Sequence, residues 1–303
     1  MSFADAVRGP RAADASRTAA PQYEDVPAPK RYRGALGRQY RGEVRLLVTR
    51  RRNAILLGVL AVVPIFIGVA VKLSNPRGSD GPQFIGRITG NGLFLVFTAI
   101  TVAIPFFLPL VIGVVAGDSI AGEANQGTLR YLLSVPVGRG RLLSVKTLAV
   151  ATFTGLAVLA VALVGLVTGA ALFGLHSLVL LSGDTVSIQS GLLRTLGVVV
   201  YVSIALFALA AGGLLISTLT ENPIAAMAAT ISIAVFSALL DAVPQLSAIH
   251  PALLTHNWLG FGELLRSAIS WSDLVRWSAL HLAYAAVFLS LAWCRITTKD
   301  VTS

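Results

Sequence analysis

Apolar residues along this chain gather into six long runs, Asn53–Val71, Leu93–Gly117, Thr147–Leu175, Thr195–Leu219, Pro223–Leu240 and Leu274–Cys294. Each is long enough to cross a hydrocarbon layer of about 30 Å as a helix. The second and third exceed that need, so they tilt or protrude. The pattern predicts an all-α polytopic membrane protein with six transmembrane helices.

Two stretches interrupt this pattern. Residues 31–52 alternate arginine with apolar residues at helical spacing, so that Tyr32, Leu36, Tyr40, Val44 and Leu47 share one face. This predicts an N-terminal amphipathic interfacial helix that turns into the first span; an ordinary basic flank is the alternative. Between spans five and six, Asp241–Trp271 is mixed and carries Pro244, His250, Pro251, His256 and Trp258. It is too short to cross and return as full helices, and apolar enough to dip partway into the outer leaflet. Residues 1–30 are rich in Ala, Pro and Arg without an apolar core. They read as a disordered cytoplasmic tail rather than a cleavable signal peptide, leaving 31–303 as the membrane domain.

Composition strengthens the membrane reading. Of 303 residues, 55% are hydrophobic and 13% charged, against about 25% charged in soluble domains. The net charge of +10 does not point to nucleic acid, because nine of 24 basic residues lie between Lys30 and Arg52, just before the first span. Cations there hold a segment on the cytoplasmic side. With the N-terminus inside, the inner segments hold eighteen Lys and Arg and the outer ones six, which predicts a bacterial plasma-membrane protein with both termini cytoplasmic. Few aromatics lie among these cations to stack on bases, and no nucleic-acid fold signature is found.

The chemistry is sparse. Spans one to five contain no Asp, Glu, Lys or Arg, and the titratable candidates are His176 and His281. Transporters driven by ions usually keep intramembrane carboxylates or histidines, so energy is expected to enter from outside the bilayer. No G-x-S-x-G, H-E-x-x-H or P-loop motif occurs, so the chain is not expected to be an enzyme or to bind ATP itself. The single Cys294 excludes a disulfide or thiolate cluster. His250 and His256 stand six apart, with no cysteine or obvious carboxylate partner in the sequence, so no metal or cofactor site is assigned.

The most informative segment is the loop between spans two and three, DSIAGEANQGTLRYLLSVPVGRGRLLSVK, from Asp118 to Lys146. Asp118 is suited to cap a short helix from Ser119, broken at Asn125–Gly127. Thr128 is suited to cap a second helix, ended by Pro136, with Leu129, Leu132 and Leu133 forming an apolar edge for a partner protein. Arg139, Arg141 and Lys146 then meet the headgroup zone. This segment closely resembles the first cytoplasmic loop of ATP-binding cassette permeases of the second type. The family's order of Asp, Glu, Gly-Thr, Arg or Leu, Pro-x-x-Arg and Lys falls on Asp118, Glu123, Gly127, Thr128, Leu129, Arg130, Pro136, Arg139 and Lys146. Lys299-Asp300-Val301 resembles the family's ending.

The resemblance implies a permease subunit of an ATP-driven exporter, with those nine residues forming a cytoplasmic coupling loop against a separate ATP-binding subunit. It implies two P-loop ATPase subunits carrying ATP and Mg, a second permease copy or homologous sister, and membrane lipid around them. Glu123 is then a polar contact, Gly127-Thr128 sets the break, and Arg130 and Arg139 meet acidic groups or phosphates. Spans two and five are candidates to line the pathway, because Pro105, Pro109 and the small run Ala225–Ala229 permit bending and close packing. An ion-gradient-driven transporter and a non-transporting membrane anchor remain alternatives from sequence.

Overall fold

A computed structural model describes residues 35–74, 91–127, 139–180 and 182–298. The predicted tail of residues 1–30 and the ending Lys299–Val301 lie outside them. Eight helices follow in order: α1 Ala35–Thr49, α2 Arg51–Ser74, α3 Leu93–Ala103, α4 Phe107–Asn125, α5 Arg139–Phe173, α6 Ile188–Leu219, α7 Pro223–Asp241 and α8 Trp271–Thr298. Six of them (α2, α4, α5, α6, α7 and α8) are long and apolar enough to cross a membrane. The expected all-α polytopic fold is therefore found. Between α5 and α6 the described residues include a two-residue antiparallel ladder, β1 Leu178–Val179 on β2 Thr185–Val186.

One predicted span is corrected. The run Leu93–Gly117 is not one helix but two, α3 and α4, separated at Ile104–Phe106. Pro105 explains the break: it offers no N–H to the helical ladder, and the backbone leaves the helical conformation at Phe106, with φ of −137° and ψ of −57°. Pro109 is tolerated in the first turn of α4, where N–H groups have no intrahelical partner anyway. A second correction follows. Asp118 does not cap a new helix at Ser119, because α4 runs unbroken through it to Asn125. Likewise α5 starts at Arg139, eight residues before the predicted Thr147. Most of the expected loop is thus helix that extends the flanking spans.

Helices α5 and α6 form the centre of the bundle. α5 packs on α2, α3 and α6; α6 packs on α4, α7 and, most extensively, α8. Small residues let the backbones approach, which is how membrane helices associate when apolar burial drives nothing. A Cβ on Gly117 of α4 would lie 2.7 Å from the Met227 nitrogen of α7, and one on Gly169 of α5 would lie 2.2 Å from the Gly92 carbonyl oxygen. Ala226, from the predicted small-residue run, is fully buried in the α4–α7 contact. The outward surfaces are as apolar as the core: Phe66, Val167 and Ile224 are each about 70% exposed. Water does not tolerate so much contiguous apolar surface, whereas a bilayer does.

The segment between α7 and α8 forms three short 3₁₀ turns, Pro244–Leu246, His250–Ala252 and Gly260–Leu265. Tyr201 of α6 donates to the Asn257 carbonyl at 2.5 Å, and Tyr284 of α8 to that of Ala252 at 2.5 Å. These bonds hold the segment against the end of the bundle where α6 begins and α7 finishes.

Candidate functional site

The charged side chains that the structure buries meet at the opposite end, where α1 turns into α2, α4 finishes and α5 starts. The α1 sequence places Tyr40, Val44 and Leu47 on one face. Leu47 is buried, Val44 packs on the core, and the Tyr40 hydroxyl bonds Thr152 Oγ1 of α5 at 2.7 Å. The chain bends at Arg50 and enters α2. The buried Asn53 then donates through Nδ2 to the Leu47 carbonyl at 2.8 Å, capturing one of the carbonyls left open at the end of α1.

That elbow presents Arg50 and Arg52 to Asp118. Arg50 Nη1 and Arg52 Nη2 donate to the same oxygen, Asp118 Oδ2, at 2.9 and 2.6 Å. The carboxylate has room because its i+4 neighbour is Gly122, where a Cβ would sit 2.5 Å from Asp118 Oδ1. Beside it, Lys146 of α5 donates to Glu43 of α1 at 3.1 Å and also to Glu123 of α4. The six groups comprise three cations and three anions, so the cluster is electrically balanced. Its two halves line one cavity of about 20 Å³, room for a single water.

Burial decides which pairs matter. The Lys146 side chain is 5% exposed and its two carboxylates less than 20%, while Arg50 and Arg52 are over 40% exposed. Half-exposed pairs contribute up to about 1 kcal/mol each, but breaking a buried one costs roughly 3–5 kcal/mol. Lys146 is the keystone, and the arginines form a looser rim.

A third tie joins α6. The Ser217 hydroxyl accepts from the amides of Ile120 and Ala121, at 3.0 and 2.8 Å, and donates to the Gly117 carbonyl at 2.7 Å. Gly117 and Ala121 are i,i+4 partners of an undisturbed helix, so this side chain is spliced into the ladder of α4.

Of the nine residues singled out in sequence, the structure brings Asp118, Glu123 and Lys146 into this cluster. Lys146, expected from sequence to meet the headgroup zone, is instead buried between two carboxylates. Gly127 follows the last turn of α4 with φ of +68°, the left-handed conformation that ends helices and favours glycine. Arg139 is the first residue of α5. Thr128, Leu129, Arg130 and Pro136 lie outside the described residues. Sequence reasoning missed Glu43, Arg50, Arg52, Asn53 and Ser217. Glu43 left a signal, as the one acid within the basic run Lys30–Arg52.

Of the histidines, His281 is buried in α8 with its ring edge-on to Tyr201. His250 and His256 lie together beyond α7, beside Asp241, at the far end from the charge cluster.

The comparison with known proteins agrees with the loop resemblance. Over 93 residues, 29% of this chain, the sequence is 34% identical to the Pseudomonas aeruginosa protein named Probable ABC transporter permease protein NosY. The match spans about one third of that relative's length. The sequence profile of ABC-2 family transporter proteins matches residues 47–257, from the end of α1 to the 3₁₀ segment. The chain is a member of the ABC-2 transporter family.

Proposed function

We propose that this chain is the permease subunit of an exporter powered by a separate P-loop ATPase, and that the balanced charge cluster carries motion from that ATPase into the bundle. The observation behind this reading is the pairing of Glu123 with Lys146. These residues bracket the segment 126–138, which in this reading rests on the ATPase. The same Lys146 grips Glu43 of α1, so a displacement of the segment reaches the α1–α2 elbow, α4 and α5 together. Coupling through a packed polar network of this kind suits a two-state switch.

In this reading the cluster faces the cytoplasm, with α1 lying in the inner interface and its arginines toward lipid headgroups. Two such chains, or one with a homologous sister, and two ATPase subunits complete the machine; ATP and Mg stay on the ATPase. The apolar core suits a lipid-like or amphipathic cargo better than a small ion.

The test is a pull-down of the tagged chain from solubilised membranes with ATP turnover assayed in the eluate. Co-elution of a P-loop ATPase at about one to one, with turnover, supports the reading. A chain that elutes alone and moves cargo in liposomes under an ion gradient overturns it.

A further inference from the structure

At the end of the bundle away from the charge cluster, Asp241, His250 and His256 offer three metal-ligating atoms within 4.8 Å of one another. We propose that these residues form a binding site for a divalent first-row transition cation of the zinc class. The site is independent of the permease reading.

The arrangement is assembled by packing, residue by residue. Asp241 is the last residue of α7, where the carbonyl end of the helix favours a positive charge. One turn earlier, the Ser237 hydroxyl accepts from the Thr255 amide at 3.1 Å and bonds Thr255 Oγ1 at 2.9 Å. This clasp sets His256, the next residue, beside Asp241, which shares a helix face with Ser237. His256 Nδ1 donates to Asp241 Oδ1 at 2.6 Å. His250 comes in from the other side, its ring centroid 5.7 Å from that of His256.

The tautomer of His250 carries the argument further. Its Nε2 lies 3.1 Å from the Val243 carbonyl, an acceptor only, so Nε2 holds the proton. Nδ1 then faces Asp241 Oδ1 at 3.9 Å, beyond hydrogen-bond distance. An ion seated between these two atoms would be held by both, with His256 as the third ligand. A backbone carbonyl holding the distal N–H is also how metal-bound histidines are usually oriented.

Geometry and donor type fit the proposed ion. Tetrahedral ligands at about 2.0–2.1 Å from zinc stand roughly 3.3 Å apart, and the separations of 3.9 and 2.6 Å straddle that value. Binding draws His250 inward, and the His256 proton moves from Nδ1 to Nε2. Two imidazoles and one carboxylate suit zinc and its neighbours, while magnesium and calcium prefer all-oxygen sets. Three protein ligands leave a fourth position open. The side chains are 16–34% exposed, so an ion can enter from solvent.

The experiment uses the full chain in detergent with an affinity tag free of histidine. Zinc alone is the probe, by equilibrium dialysis and by its effect on thermal unfolding, with cobalt substituted for its visible absorption bands. The expected result is one zinc per chain, a rise in unfolding temperature with zinc, and tetrahedral cobalt bands. Asp241→Asn and His256→Ala should each weaken binding at least about 100-fold, and Ser237→Ala about 10-fold by releasing the clasp. His281→Ala, on the buried histidine outside the site, should leave binding unchanged. Wild-type protein that takes up no zinc at micromolar free metal overturns the proposal. So does uptake that survives Asp241→Asn, or a His256→Ala variant that loses stability without zinc and keeps the zinc-dependent rise.

Discussion

Lys146 Nζ on α5 lies 3.1 Å from Glu43 Oε2 on α1, a contact between residues 103 positions apart that also takes in Glu123 of α4. Three helices thus depend on one ammonium group. Lys146→Met should strand two largely buried carboxylates and lower stability by about 3 kcal/mol. Thermal unfolding in detergent measures it. Adding Glu43→Gln and Glu123→Gln to the same chain should recover most of the loss, since an uncharged cluster carries no unpaired charge. A single variant that melts with the wild type would deny the lysine this role.

The arginine rim is expected to behave differently. Arg50→Ala and Arg52→Ala should each cost less than about 1 kcal/mol, because both side chains are over 40% exposed. Asp118→Asn releases both at once. In the reconstituted complex, ATP turnover per mole of permease should fall at least about 5-fold with little change in melting. Unchanged turnover would remove Asp118 from the transmission route.

Gly127 gives a test of backbone alone. With φ of +68° and, among the described residues, no atom within 4 Å of where its Cβ would stand, a substitution there meets strain rather than a clash. Gly127→Ala should cost roughly 1–2 kcal/mol, and Gly127→Asn less, because asparagine tolerates the left-handed region. Ranking the two variants by melting temperature checks this; equal effects would point to a side-chain cause.

The contact between α4 and α7 gives a test of packing. Gly117→Val pushes atoms into the Met227 backbone and should destabilise by about 1–3 kcal/mol or more. Gly155→Ala is the matched control: its nearest neighbour, Ser203 Oγ, is 4.0 Å away, and the change should be neutral or slightly stabilising. Melting curves of the two variants decide whether small residues in this fold serve approach or are incidental.

What could be read from sequence divides along a physical line. Span existence and order were legible because hydrocarbon thickness acts on consecutive residues. The start of α7 was legible too: Asn222 caps Ile224 and Ala225, with Pro223 at the first helical position. The split of the second run was signalled by Pro105 but outvoted by the length of the run. The charge cluster was half legible, because the loop resemblance named Asp118, Glu123 and Lys146. Their partners on α1 and α2 are set by tertiary packing, which leaves no local trace. The same holds for Asp241, whose nearness to His256 depends on how two 3₁₀ turns fold the chain back onto α7.

The hydroxyl of Ser217, threaded between Gly117 and Ala121, has a mechanical consequence. It splices α4 to α6 where each approaches its end, so neither helix can twist there without carrying the other. In the proposed coupling, motion arriving at Asn125 would travel along α4 to Ile104–Phe106, where the helix is interrupted. That short break would then be the pivot, because on one side of it α4 is tied to α6 through Ser217 and on the other α3 packs against α5.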